Sequence, residues 1–456
     1  MSDKERLESG GSHPAFLKPA GPNLGLAPPR GETGPRRGMF SSLSHTPFRR
    51  YWIGLFLSNI GTWMQVVAQG WLVLKLSDSA LVLGLVGFIG SIPTLLLAPL
   101  AGVAADRLDR RKLLMVTQCM QMGCAAILAA ATGFGFATVP LVAAVAVVNG
   151  VANAFTMPSH QSLFLDLVGR EDLLNAISLN SMQFNLSRVI GPVIAGLTIA
   201  AFGEAGCFAL NSVSYLAVIA ALAALPALRR RRAGSRGAWV DLRIGVRFAR
   251  RRPLIVTLLA IAASLAVFGT PAVTLAPLFA RKLLNVGPEG LGGMLSAVGL
   301  GAAGSALFLA SLGDFPRKGQ AILLASFGFA LALAGLGASR SYALSLAFLA
   351  LLGASMSSSA SLINTLLQTS APDRLRGRVI SLYALAWLGL VPVGNLQAGA
   401  VAQRFGPAAA LFVGAAGIAL TLLTVRMLGG AAFDGERTVR PTHSGYAVLR
   451  YISDPR

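Results

Sequence analysis

The residues of this chain whose types could do chemistry are isolated charges and amides set in apolar runs. Arg188 opens the run Arg188-Val189-Ile190-Gly191-Pro192-Val193-Ile194-Ala195-Gly196. A cation at mid-membrane depth costs about 2.5–3.5 kcal/mol on insertion scales, so it must face water or a partner. Either the guanidinium meets an anionic or polar group of a bound molecule, or neighbouring amides and water hold it as part of the fold. Pro192 removes one backbone donor, and Gly191 and Gly196 allow a kink and close packing. Amides and aromatics recur at helical spacing. At about 100° per residue, Asn149, Asn153, Thr156 and His160 fall within about 60°, and Asn59, Thr62, Gln65 and Gln69 within about 120°. Tyr383, Trp387, Gly394 and Gln397 share one side of a later helix. Amides beside aromatics suit an amphipathic small-molecule substrate in a cavity. They serve equally as hydrogen bonds between helices.

A second cluster is Gly102-Val103-Ala104-Ala105-Asp106-Arg107-Leu108-Asp109-Arg110-Arg111-Lys112. It sets a small residue at a helix end, then a carboxylate, then cations in a tight loop. The carboxylate favours the positive N-terminus of a neighbouring helix, and the cations can pair with acids nearby. A topology anchor would need the cations but neither the Gly nor the Asp. Proton transfer needs a titratable group, and no acidic residue lies deep in an apolar stretch. His160 and Asp166 are the candidate proton sites, with Asp106 beside them; histidine titrates near neutral pH when unperturbed. His160 is equally read as an interfacial residue. Cys119, Cys124 and Cys207 are isolated and the four histidines are scattered, which supports neither a disulfide framework nor a metal site. No Gly-x-x-x-x-Gly-Lys-Ser/Thr motif offers ATP drive. No nucleophile–base constellation rises above scatter, so the chain reads as a non-enzyme without a cofactor.

Composition says which elements must hold these groups. Of 456 residues, 54% are apolar and 12% charged, against ~25% charged in an ordinary soluble protein. A membrane helix needs ~20 mostly apolar residues. Twelve stretches qualify: 51–74, 80–104, 113–134, 138–159, 175–201, 206–227, 254–279, 290–312, 319–338, 342–367, 379–403 and 407–428. The expected fold is an all-α membrane protein, with 12 transmembrane helices in two pseudo-symmetric six-helix halves, 48–228 and 254–428. An Arg-rich linker, 229–253, joins them, and a short polar tail, 429–456, follows. The N-terminal arm, 1–47, has seven Pro, seven Gly and no hydrophobic period, and reads as disordered. It lacks the apolar stretch of a cleaved signal peptide, so the first span is expected to insert as an uncleaved anchor.

Placing the N-terminus inside leaves 33 Lys and Arg on inside segments and 5 on outside loops. That excess puts both termini in the cytoplasm. It accounts for a net charge of +21 without nucleic acid as a partner. Arg229–Arg232 with Arg250–Arg252 lies against anionic lipid heads of the bilayer, or serves simply as a topology anchor. Shifting the chain by 203 residues tests for duplication. Ile177-Ser178-Leu179 falls on Ile380-Ser381-Leu382, Gly191 and Gly196 on Gly394 and Gly399, and Phe202-Gly203 on Phe405-Gly406. Duplicated halves are common in transporter folds.

The segment from Gly102 to Lys112 resembles the signature loop of the major facilitator superfamily. It keeps Gly102, Asp106, Arg107, Arg110, Arg111 and Lys112, and departs at Asp109, where a Gly is usual. The resemblance implies a conformational latch between the halves, with Asp106 facing the start of span eleven, where Arg374, Arg376 and Arg378 lie. The equivalent loop of the second half, Leu312 to Lys318, is degraded. Arg188 to Gly196 is similar to the Gly-Pro motif of superfamily antiporters, with Ala195 where a Gly is usual. That likeness implies a bend at Gly191, Pro192 and Gly196 that limits leak; a packing kink without coupling is the plainer reading. Gly61-Thr62-Trp63-Met64-Gln65 with Trp71-Leu72-Val73-Leu74, Met157 to Gly196, and Asn364 to Tyr383 look like the exporter branch that includes enterobactin exporters and macrolide efflux proteins. The resemblance runs from Phe48 to Leu428. It implies a monomeric carrier of the cytoplasmic membrane that exports a small drug- or siderophore-like molecule by alternating access, in antiport with the proton gradient. An uptake carrier of the same fold and a non-transporting receptor are the alternatives.

Overall fold

A computed structural model describes residues 40–225, 238–269 and 271–434. The side chains of Asp106 and Arg107, the arm before residue 40, the linker residues 226–237 and the tail after 434 lie outside the described set. Helices account for nearly all that is described, with no strand among them. The first half comprises α1 (Thr46–Ser77), α2 (Ala80–Arg107), α3 (Arg110–Gly133), α4 (Val139–Val168) and α5 (Leu173–Ala223). Then come α6 (Ala238–Arg250), α7 (Pro253–Ser264), α8 (Pro271–Thr274), α9 (Ala276–Lys282), α10 (Pro288–Leu312) and α11 (Lys318–Ala338). The chain closes with α12 (Tyr342–Ser370), α13 (Asp373–Leu388), α14 (Val391–Phe405) and α15 (Pro407–Asp434).

Each of the twelve predicted spans has a helical counterpart, though four differ from expectation. Spans five and six are joined without a loop in α5, 51 residues long. Gly203, at φ 70° and ψ −178°, is the residue within α5 that leaves helical geometry. The chain doubles back there. Ser187 hydrogen-bonds to the Phe56 carbonyl and Gly191 abuts Trp63, whereas farther along Asn211 lies against Gly61 and Ala217 against Gly54. α1 is thus flanked by both passes of α5, running in opposite senses. Span seven is interrupted: α7 gives way to a π-helical stretch, Leu265–Gly269, before Pro271 starts α8. Span eleven parts into α13 and α14 at Gly389 and Leu390, because Pro392 has no N–H to give the carbonyl four residues back.

The predicted repeat has a backbone signature. Gly406 takes φ 89° and ψ 164°, close to the geometry of Gly203 one repeat earlier. A side-chain carbon strains such a conformation, which suits glycine. Within the first half, α5 packs on α1 and α3, and α2 on α4; within the second, α12 packs on α10 and α11, and α11 on α15. The halves meet where α5 lies on α10 and α2 on α14. Ordered structure begins earlier than residue 48. A 3-10 turn, Ser41–Ser44, docks on the start of α5, where Asp172 accepts from the Ser41 hydroxyl at 3.0 Å and pairs with His45 at 2.9 Å. Part of the expected linker is the helix α6, packed on α13 and α7.

Candidate functional site

Both seams are tightest away from the loop between α2 and α3, here called the latch end. A side-chain carbon at Gly196 would stand 2.8 Å from the Pro288 carbonyl, and one at Gly399 would stand 2.9 Å from the Ala80 carbonyl. At Gly292 it would run into the Pro192 carbonyl. Only backbone fits at these crossings. Beyond them, Lys282 reaches the Asp78 carboxylate at 3.2 Å and Arg281 at 3.7 Å. Gln403 Oε1 on α14 accepts from the Ser79 hydroxyl at 3.0 Å, the Ala80 N–H at 2.9 Å and the Leu81 N–H at 3.4 Å. The two amides head α2 and have no partner within it. One half therefore caps a helix of the other.

Toward the latch end the seams part. On α5, Ile177, Ser181, Phe184 and Arg188 fall within about 60° of one another, on the face that continues through Pro192, Ala195 and Ile199. Ile177, Ser181 and Phe184 are exposed, Arg188 is half-buried, and Pro192, Ala195 and Ile199 are buried. A second face, with Met182, Leu186, Val193 and Leu197, is apolar and exposed throughout, as a lipid-facing surface must be. The first face thus passes from open to closed at Arg188. α4 repeats the pattern: Asn153, Met157 and Gln161 are exposed, while Val142, Ala146 and Gly150 on the same side are buried. On α10 the run from Met294 to Gly299 is buried, and Leu300 and Leu307 beyond it are exposed. Positions Gly102 and Gly377 have open space where a side-chain carbon would stand. Along these faces the packing is open toward the latch end and closed from the level of Arg188 onward.

The guanidinium carbon of Arg188 lies 5.6 Å from the centroid of the Trp63 ring, which Phe184 meets edge-on at 6.0 Å. Among the described residues the Arg188 side chain has no hydrogen bond or ion pair. The carbonyl of Arg188 is also without its helical donor, since Pro192 has no N–H. α10 passes this carbonyl at Gly299, where a side-chain carbon would stand 3.0 Å away. Next to it, the Ser296 hydroxyl donates to the Val189 carbonyl at 2.7 Å. The Gly191, Pro192 and Gly196 segment keeps helical dihedrals and forms the seam.

The predicted amides divide. Asn59, Gln69 and Asn149 are half-buried and form no hydrogen bond among the described residues. Asn153 is exposed and accepts from Gln121 at 3.0 Å. Gln65 is buried and accepts from Asn211 at 2.6 Å, which makes it a strut inside the first half rather than a wall of the cavity. Tyr383 and Trp387 lie together on α13, rings 6.2 Å apart, with the Tyr383 hydroxyl donating to the Ala360 carbonyl at 3.3 Å. Gly394 and Gln397 are separated from them by the break in span eleven.

The titratable candidates are engaged within their own half. His160 Nδ1 shares a hydrogen bond with the buried Tyr51 hydroxyl, and Asp166 pairs with Arg110 at 2.6 Å. Asp109 caps α3 by accepting from the N–H groups of Arg111 at 3.0 Å and Lys112 at 3.4 Å, which gives the departure from the signature loop a local role. Arg111 donates to the Ala223 carbonyl at 2.7 Å, and the Lys112 side chain is exposed. The pairing of Asp106 with the start of span eleven lies outside the described side chains, as does Arg107. In the degraded second loop Asp314 pairs with Lys318, whose hydrogen bond holds the carboxyl below its usual range.

Two buried groups escaped sequence reasoning. Glu204, 4% exposed, follows the Gly203 turn and takes Lys75 at 3.1 and 3.2 Å on its two oxygens. It lies between predicted spans five and six, outside the apolar stretches, and is buried because that connection is helical and packed. Asn395, 3% exposed, accepts from the Thr274 hydroxyl at 2.9 Å. It stands one repeat on from Pro192, and nothing in its sequence neighbourhood marked it.

Comparison with known proteins places this architecture. The family described as transmembrane secretion effector matches residues 37–440. The staphyloferrin A transporter of Staphylococcus aureus is 27% identical over 361 residues, 77% of this chain and 88% of that protein. The multidrug efflux pump Tap of Mycolicibacterium fortuitum is 28% identical, over 76% of this chain and 87% of that one. An enterobactin exporter of Shigella boydii is 26% identical, over 84% and 92%. Among solved structures, a bacterial homolog of the lysosomal transporter Spinster superposes with TM-score 0.63 at 14% identity, covering 86% of this chain and 96% of that one. A D-xylose–proton symporter gives 0.65 at 14%, covering 84% and 98%. With its paired halves, its two glycine-lined seams and a family match spanning most of its length, the chain is a multi-pass membrane protein that belongs to the transmembrane secretion effectors of the major facilitator superfamily.

Proposed function

We propose that this protein exports a small organic molecule across the cytoplasmic membrane by alternating access, as a monomer in antiport with protons. The observation that carries the reading is the switch from exposed to buried at Arg188 along one face of α5. Positive charge concentrated at the latch end makes that end cytoplasmic and puts both termini there. The cavity then opens inward, ready to load from the cytoplasm. Arg188, Asn59, Gln69, Asn149, Asn153, Tyr383 and Trp387 supply its polar and aromatic contacts. Gly102, Asp106, Arg107, Arg110, Arg111 and Lys112 act as the latch that re-forms when the inner end closes. Gly191, Pro192 and Gly196 keep the outer seam tight enough to limit leak. Asp166 and His160 carry the coupling proton, Asp166 by exchanging Arg110 for a proton as the latch cycles. Relatives whose names refer to efflux and export favour the outward direction.

The test is transport from loaded cells. Export predicts that an overexpressing strain loses a preloaded dye or antibiotic faster than a deletion strain, and that collapsing the proton gradient removes the difference. Faster accumulation in the overexpressing strain would make the protein an uptake carrier.

A further inference from the structure

We propose that the molecule taken by this cavity is an organic anion with an aromatic or apolar body, its anionic group held by Arg188 beside the Trp63 ring. The proposal rests on the transporter reading of the cavity and names the substrate class for it.

The argument is a charge balance. Arginine is not deprotonated in proteins, so Arg188 is a permanent cation at the closed end of the opening. Acids that could neutralise it are occupied elsewhere. Asp166 is taken by Arg110, Glu204 by Lys75, Asp172 by His45, Asp78 by Lys282 and Asp373 by Arg376. Among the described residues no carboxylate reaches Arg188. What does reach it is an aromatic face, at 5.6 Å. A guanidinium over a ring keeps its N–H groups free at the edge, in the planar fork that matches a carboxylate or similar oxyanion. Phe184, 46% exposed and edge-on to Trp63, widens the apolar ground beside the charge. On α13, Tyr383 and Trp387 offer a second aromatic pair. The half-buried amides Asn59, Gln69 and Asn149 are neutral. An organic cation entering here meets a like charge and no counter-charge; an organic anion completes the only unpaired charge at this depth among the described side chains.

Two dyes on one xanthene frame test this, fluorescein as the anion and rhodamine 123 as the cation. Equilibrium binding to the detergent-solubilised full chain is read by fluorescence anisotropy at mildly alkaline pH. Fluorescein should bind at least about tenfold tighter than rhodamine 123, the scale of one charge-assisted hydrogen-bond pair. Arg188→Gln should erase the preference, chiefly by weakening fluorescein, and Arg188→Lys should keep most of it. Equal or tighter binding of rhodamine 123, no binding of fluorescein, or an unchanged preference in Arg188→Gln would overturn the proposal. The wild-type ratio and Arg188→Lys decide the matter even where Arg188→Gln does not fold. Inside-out vesicles separate the two readings. Anion preference without transport sinks export and leaves the charge assignment standing; transport that favours rhodamine 123 sinks the charge assignment alone.

Discussion

Gln403 lends its side chain to the head of a helix in the opposite half, so removing it should shift the balance between the two open forms. Gln403→Ala deletes one oxygen that serves three donors, the Ala80 N–H at 2.9 Å being the best aligned by distance. Loss of a helix cap costs about 0.5–2 kcal/mol. A value near 1 kcal/mol fits here, because Ser79 still accepts from Val82 within α2. The bond joins α14 to α2, so it exists only while the end opposite the latch is closed, and the whole cost falls on that form. One kcal/mol changes the ratio of forms about fivefold. Ala195 reports on it: it is fully buried on the cavity-facing side of α5, past Arg188. In a background without Cys119, Cys124 and Cys207, an Ala195→Cys variant should react with an impermeant maleimide from outside about fivefold faster once Gln403→Ala is added. Gln403→Glu keeps the acceptor and sets an anion at a helix N-terminus, so it should label no faster than the parent. If Gln403→Ala and Gln403→Glu label alike, the cap does not bias the two forms.

Asp166→Asn should leave Arg110, only 12% exposed, without its partner, and cost on the order of 3 kcal/mol; thermal unfolding in detergent should show a drop of several degrees that Asp166→Glu partly avoids. Gly301→Ala drives a methyl into the Ala350 carbonyl on α12 and should destabilise by about 1–3 kcal/mol. Gly304→Ala, one turn on with open space around it, should melt at or slightly above the parent temperature. The Asp314 carboxyl is held below its ordinary range by Lys318, so what that pair contributes is present above the usual carboxylate pKa and is lost as pH falls through the lowered value. Melting curves of Asp314→Asn and the parent should therefore differ only above the acid range, and any loss of that difference at neutral pH would contradict the pairing.

The fold was legible because lipid leaves so few choices. Twelve runs of the right length, a charge bias and a 203-residue shift gave the halves and located the turn that Gly203 and Gly406 share. Hydropathy sees only the average of a stretch, and it could not register that Pro271 and Pro392 interrupt spans seven and eleven. The site was half legible. An arginine in an apolar run announces itself by its cost, and Arg188 does sit where the packing opens. The amides could not be sorted by spacing alone: Gln65 and Asn59 stand on the same broad side of α1, yet Gln65 is spent on Asn211 from the second pass of α5. Such pairs depend on which neighbour arrives, and one helix does not encode that. Glu204 was hidden for the same reason, as its partner Lys75 comes from the far end of α1.

Pro192 and Arg188 share one consequence. The proline strips a hydrogen bond from the carbonyl of the very residue that carries the charge, and Gly299 keeps the facing surface of α10 bare at that spot. α5 thus lacks one backbone hydrogen bond at the residue that carries the charge, so on the proposed reading a molecule held by the guanidinium would pull on the helix where it is least braced on that turn.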